Sequence, residues 1–150
     1  MLLTPEFCLK HYGDPRKSEP KTHAMWKAPK IISAIPGRIW MNKDMIPYWD
    51  AVYHELSDQD LLDLIVTYDG CHNIRYMKAI VNGKIVFIDR RSLHSWALAI
   101  DINASSNRLG KKPTLDTRIV KVFGDNGFDW GGRFKVKDGM HFQWTRGYES

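Results

Sequence analysis

Ser92-Leu-His-Ser-Trp-Ala-Leu-Ala-Ile-Asp101 is the stretch that decides how this chain folds around its chemistry. From Ala97 to Asn103, Leu98, Ile100 and Ile102 alternate with Ala97, Ala99 and Asp101, the two-residue period of a strand. Asp is rarely buried without a partner, so a carboxylate among small apolar neighbours asks for a cation. His94 lies seven residues before Asp101. In one continuous strand an odd separation puts two side chains on opposite faces, so the chain must turn near His94 and enter the strand just after it. The same holds for Asp138-Gly-Met-His141, where Gly139 permits a turn that brings both flanking side chains inward. If the two clusters meet, they supply the set that a catalytic zinc site needs. That set is three protein ligands, one open position for water and a separate carboxylate to move protons.

Working outward, Ile74 to Val81 and Lys84 to Asp89 flank Asn82-Gly83, a strong hairpin signal. Val66-Thr-Tyr-Asp-Gly70 ends in a turn. Residues 43–66 read as helix, with Trp49, Val52, Tyr53 and Leu56 forming its apolar stripe, and Ser57 with Asp60 capping a second segment from Asp58 to Leu64. Residues 104–115 read as loop, Thr117 to Phe123 fits helix or strand, Asp125 to Gly132 reads as a Gly-rich aromatic loop, and His141 to Trp144 as a last strand. Pro5, Pro15, Pro20, Pro29 and Pro36 punctuate residues 1–38, which read as a loop-rich arm wrapped on the domain. The expected architecture is a single α+β domain over 1–150, with the arm at 1–38 and the core at 39–150. A small antiparallel sheet carries the metal site, and helices pack on its back.

The chain has 150 residues, long enough to bury a core without staples. Its 43% hydrophobic and 26% charged content excludes a disordered chain. Cys8 and Cys71 form no CxxC pair, which excludes a Cys-rich structural zinc site; Cys71 is expected to be a small buried packing residue. His11, His23 and His54 are expected on the surface. Trp26, Trp40, Trp49 and Trp144 are expected in the core, while Trp96 and Trp130 are placed between packing and lining a cleft. The first ten residues carry Glu6 and no apolar stretch long enough for a signal peptide, and no run of 18 apolar residues occurs; a cytoplasmic location without membrane insertion is expected. A net charge of +5 favours a polyanionic partner, but no dense Lys/Arg block marks a nucleic-acid arm.

Ser-Leu-His-Ser-Trp-Ala-Leu-Ala-Ile-Asp resembles the Ser-x-His-x-x-Gly-x-Ala-x-Asp signature of the VanY-like D-alanyl-D-alanine carboxypeptidases and the related phage L-alanyl-D-glutamate endopeptidases (endolysins). These are zinc peptidases that share a fold with the hedgehog signalling domain. Tyr68-Asp-Gly-Cys-His-Asn-Ile-Arg75, Phe128-Asp-Trp-Gly-Gly132 and Asp138-Gly-Met-His-Phe-Gln143 resemble further motifs of the endolysin group, in order, over roughly residues 44–144. The resemblance implies that His94, Asp101 and His141 hold Zn2+. It implies that Asp138 is the catalytic carboxylate and that Arg75 lies near the scissile carbonyl. It places Ser92, Trp130 and His72 on the substrate side, with Ser92 helping to hold substrate or the metal loop. Two positions depart from the pattern. Ala97 replaces the signature Gly, read here as a need for a small side chain rather than for positive φ, and His72 stands where Tyr is common.

By that resemblance the protein hydrolyses the L-alanyl-D-glutamate bond of bacterial cell-wall stem peptides, as a phage-type endolysin. Bacterial peptidoglycan is then its partner. The endolysin acts as a monomer released from the host cytoplasm through a lesion made by a separate membrane-permeabilising protein. A D-alanyl-D-alanine carboxypeptidase on the same site is the alternative enzyme, and a non-catalytic cell-wall-binding domain the alternative of another class. A basic nucleic-acid-binding module is a weaker third; it predicts salt-dependent DNA retention without a metal.

Overall fold

In the computed structural model, residues 3–32 and 34–145 are described; the outermost residues of the expected 1–150 domain and residue 33 lie outside them. The chain runs α1 (Pro5–His11), α2 (Pro15–Thr22), β1 (His23–Lys27), β2 (Arg38–Asn42), α3 (Ile46–Asp58), β3 (Tyr68–Gly70), β4 (Tyr76–Val81), β5 (Lys84–Arg91), β6 (Ala99–Ile102), α4 (Thr117–Asp125), β7 (Phe128–Trp130) and β8 (His141–Trp144). The architecture is α+β. Strands β3-β6-β8-β7 form an antiparallel sheet, while β1-β2 and β4-β5 form two-stranded antiparallel pairs.

The four-stranded sheet is the frame of the site. Phe142 of β8 turns inward and stacks on Phe123 of α4 at 3.9 Å between ring centroids. Behind it Trp49 of α3 meets Phe123, Trp26 and Tyr53 in one aromatic core. The open reading of 117–123 resolves as helix because Asp116 accepts a hydrogen bond from the Arg118 N–H at 2.8 Å, a side-chain cap at the start of α4.

Several expectations are corrected. The arm is not loop-rich: Pro5 and Pro15 open α1 and α2, where proline's fixed φ suits the first helical position and its missing N–H costs nothing. The Trp96 indole N–H donates to Gly13 O at 2.9 Å, fastening this segment to the site. The Ser57–Asp60 pair caps no second helix. Asp60 instead takes a left-handed φ of 56°, and the Leu61 N–H bonds Leu56 O, closing the end of α3. A short 3-10 turn, Leu62–Leu64, follows. The loop read over 125–132 contains β7, paired with β8. His23 is buried rather than on the surface, beneath Trp40 and against His72, and Trp40 is exposed rather than core, its indole N–H bonded to Glu19. Trp26, Trp49, Trp96, Trp144 and Cys71 are buried; His11 and His54 are exposed.

Candidate metal centre

Asp101 and His141 face each other across the β6–β8 register, so pairing the two strands makes them neighbours. His94 arrives from a 3-10 turn, Leu93–Trp96, whose first N–H groups need a partner. Ser92 supplies it: its hydroxyl accepts from the His94 N–H at 3.2 Å. The turn predicted near His94 is therefore present, and the strand starts after it.

Ala97 ends that turn at φ 53° and ψ 42°, in the left-handed region. This overturns the reading that the position needs only a small side chain. Glycine suits the position because of positive φ. Alanine is held there, fully buried, with its N–H bonded to His94 O at 3.0 Å. Gly139 is corrected the other way. Its φ is not among the positive ones; instead a Cβ would lie 2.8 Å from Asn107 Oδ1 and 2.9 Å from Pro113 Cβ. Space, not backbone freedom, demands the glycine.

Three donor atoms converge. His94 Nε2 lies 3.1 Å from Asp101 Oδ2, His141 Nδ1 lies 3.1 Å from Asp101 Oδ1, and the two nitrogens are 3.2 Å apart. The far side of each ring is already committed. His94 Nδ1–H donates to Cys71 O at 2.8 Å, and His141 Nε2–H donates to Gln143 Oε1 at 2.9 Å. A carbonyl only accepts, so each ring, when neutral, carries its proton on the outer nitrogen and turns a lone pair inward. Two such lone pairs and a carboxylate aimed at one point can be bridged by a cation. A tetrahedral zinc ion with bonds of about 2.0–2.1 Å would separate its ligand atoms by about 3.3 Å, close to the spacing here. His94, Asp101 and His141 thus form a group that could hold a metal ion. Burial pushes the Asp101 carboxyl up, but when the imidazoles take on an inner proton their positive charge and hydrogen bonds outweigh it and hold the group well below the usual carboxylate range.

Asp138 lines the same cleft, a cavity of about 530 Å³ that also exposes Arg75, Lys78, Arg90, Asp101, His141 and Gln143. Burial lifts the Asp138 carboxyl above its ordinary range, against the opposing pull of His141. Its loop is built by the Trp-Gly-Gly motif. A Cβ on Gly131 would lie 2.4 Å from Asp138 O, and one on Gly132 would strike the Trp130 ring at 2.3 Å. The Asp138 backbone N–H donates to Gly131 O at 2.9 Å, and the Trp130 indole N–H donates to Gly139 O at 2.8 Å. Trp130 is thus a support under the Asp138 loop and is not among the cleft-lining residues. Ser92 lines the cleft but is buried, its hydroxyl engaged in the turn.

Arg75 is held by a reciprocal pair: Ser95 Oγ accepts from its N–H at 3.1 Å and donates to its carbonyl at 3.0 Å. It borders the main cleft and a smaller cavity of about 240 Å³ containing His72, His94 and Asp101. His72 packs edge-to-face on His23 at 4.8 Å, and its Nε2 is buried without a hydrogen-bond partner among the described residues. Sequence reasoning missed Gln143 as the partner of His141, although two residues along one strand share a face. It also missed the Cys71 carbonyl and Ser95, which no local pattern advertises.

Residues 88–144 match the model of a family described as D-alanyl-D-alanine carboxypeptidase. The segment holds His94, Asp101, Asp138 and His141, and the match supports a peptidase of the VanY-like group. Arg75 and the Tyr68–Arg75 stretch lie outside it. No curated protein and no solved structure matches the chain.

Proposed function

We propose that this protein is a zinc-dependent peptidoglycan peptidase that hydrolyses the L-alanyl-D-glutamate bond of stem peptides, as an endolysin does. The observation that carries the reading is the pair of bare imidazole lone pairs and the Asp101 carboxylate converging at 3.1–3.2 Å beside a second, raised carboxylate. His94, Asp101 and His141 would hold the metal. A bound zinc ion would supply Lewis acidity, lowering the pKa of water at the site. Asp138, lifted toward a useful basicity by burial, is the group that would accept a proton from the attacking water and return it to the leaving amine. Arg75 faces the developing negative charge on the scissile carbonyl oxygen. Ser92 and Trp130 act one step removed, one holding the His94 turn and the other the Asp138 loop. The partner is bacterial peptidoglycan, reached from the cytoplasm after another protein opens the membrane.

The description of the matching family favours a second reading, D-alanyl-D-alanine carboxypeptidase on the same residues. Mass spectrometry of digested peptidoglycan, with and without a zinc chelator, separates the two. Chelator-sensitive release of peptides beginning at D-glutamate supports the endopeptidase; loss of terminal D-alanine alone selects the carboxypeptidase. Asp138→Asn should lower kcat about 10²–10⁴-fold with zinc content and folding intact. Undiminished turnover in that variant removes Asp138 from the mechanism, and untouched peptidoglycan from zinc-loaded wild type leaves a wall-binding domain.

A further inference from the structure

Half of the exposed large hydrophobic side chains among the described residues sit in one hairpin. Of fourteen, seven are Tyr76, Ile80, Val81, Ile85, Val86, Phe87 and Ile88 in β4–β5. Phe87 is 63% exposed and Ile85 58%. An apolar patch of this density on a folded surface marks an interaction site. Its distribution says what kind. Side chains alternate across a strand, so Ile80, Ile85 and Phe87 share one face while Val81, Val86 and Ile88 share the other. A protein partner laid against a two-stranded ribbon would cover one face. A layer of lipid headgroups and upper acyl chains surrounds the ribbon on both.

The charges point the same way. Lys78, Lys84, Arg90 and Arg91 against the single Asp89 give the hairpin a net charge of +3, on a chain of net +5. Two such hairpins repel one another, which disfavours a second copy of this chain as the occupant. Peptidoglycan offers negative charge but little apolar matter to receive seven hydrophobic side chains. An anionic bilayer surface offers both. The hairpin is also anchored: Arg90 makes a bidentate pair with Glu6 of α1 at 2.8 and 3.0 Å, and Met77, Lys78 and Arg90 border the metal-site cleft.

We propose that the β4–β5 hairpin docks this protein on an anionic phospholipid bilayer, lying at the boundary of headgroups and acyl chains. The test is sedimentation of the full chain with vesicles of phosphatidylcholine alone and of phosphatidylcholine mixed with phosphatidylglycerol, at low and high salt. Retention on the mixed vesicles, weakened by salt and far lower on phosphatidylcholine alone, is expected. The Ile85→Ser/Phe87→Ser double variant should lose at least about tenfold in affinity. Lys84→Gln, at the solvent-exposed turn, should lose about fivefold and serves as the test if circular dichroism shows the double variant misfolded. No retention on the mixed vesicles overturns the proposal. So does retention that neither variant weakens. Self-association in analytical ultracentrifugation that the double variant abolishes gives the surface to a second copy instead.

Discussion

The β6–β8 pair and the β4–β5 pair are both antiparallel, both rich in apolar residues, and placed at opposite extremes of solvent contact. Ile100, Ile102, Phe142 and Trp144 are at most 1% exposed, whereas every residue from Val81 to Arg90 is exposed. The first pair has helices to pack on: Phe142 meets Phe123 of α4, and Trp144 lies against Tyr48 of α3. The second closes on its Asn82-Gly83 turn, with φ 51° and 76°, and most of its apolar side chains have no layer over them. A strand's apolar content therefore states what it can bury, not whether a second layer will cover it. The covered pair is the one that holds chemistry, because a rigid, dry frame is what keeps three donor atoms at fixed separation.

The sharpest way to break this contrast is to truncate one aromatic in each pair. Phe142→Ala should lower stability by about 3–5 kcal/mol, while Phe87→Ala should change it by less than about 0.5 kcal/mol. Urea unfolding midpoints of the two variants measure it, and comparable losses would mean that the hairpin is covered after all. A second test sharpens the role of the frame. Gln143→Ala leaves all three ligands in place but frees the His141 ring, so zinc affinity in a competition titration should fall about 10–100-fold. An unchanged affinity would show that β8 alone orients His141.

Smaller effects separate two alanines of the covered pair's entry. Ala99→Gly, in β6, loses a buried methyl worth about 0.8 kcal/mol and gains glycine's entropic cost of about 0.5–1 kcal/mol. Ala97→Gly incurs the same losses but relieves a left-handed alanine costing about 1–2 kcal/mol, so it should come out near zero. Equal losses at both positions would contradict the left-handed turn. The last test concerns the burial of His23 between Trp40 and His72. Desolvation lowers its pKa from 6.5 to about 4, with His72 adding to the effect and Glu19 opposing it. The unfolded chain then binds the proton first as pH falls. Stability should drop by up to about 1.4 kcal/mol per pH unit between about 6.5 and 4. His23→Gln should flatten that slope in thermal melts; a persistent slope moves the cause elsewhere.

How much of this was legible in the sequence follows the range of the forces involved. The β6 alternation, the Asn82-Gly83 hairpin and the α3 stripe come from local periodicity and are present, but β6 shortens to Ala99–Ile102 because Ala97 and Asn103 take left-handed backbone, and α3 ends at Asp58. The unpartnered-looking Asp101 asked for a partner because an isolated buried carboxylate is unstable in any fold, and the structure gives it two imidazoles. The N-terminal helices were missed because prolines at helix starts look the same as prolines in loops. His23 and Trp40 were exchanged between core and surface because neither residue's own sequence neighbourhood states which layer will lie above it.

By itself the sequence determined the donor side-chain types, the turn before Asp101, the strand that carries it and the α+β class. Those depend on side-chain chemistry and on contacts a few residues apart. Only the tertiary structure decided that His94, Asp101 and His141 meet, that Gly131 and Gly132 seat the Asp138 loop, and that Ala97 sits in left-handed backbone. It alone decided that Gln143 and the Cys71 carbonyl set which nitrogen each imidazole turns inward. These are consequences of register between β6 and β8 and of loops closing over one another, and such long-range geometry leaves no periodic mark on the chain.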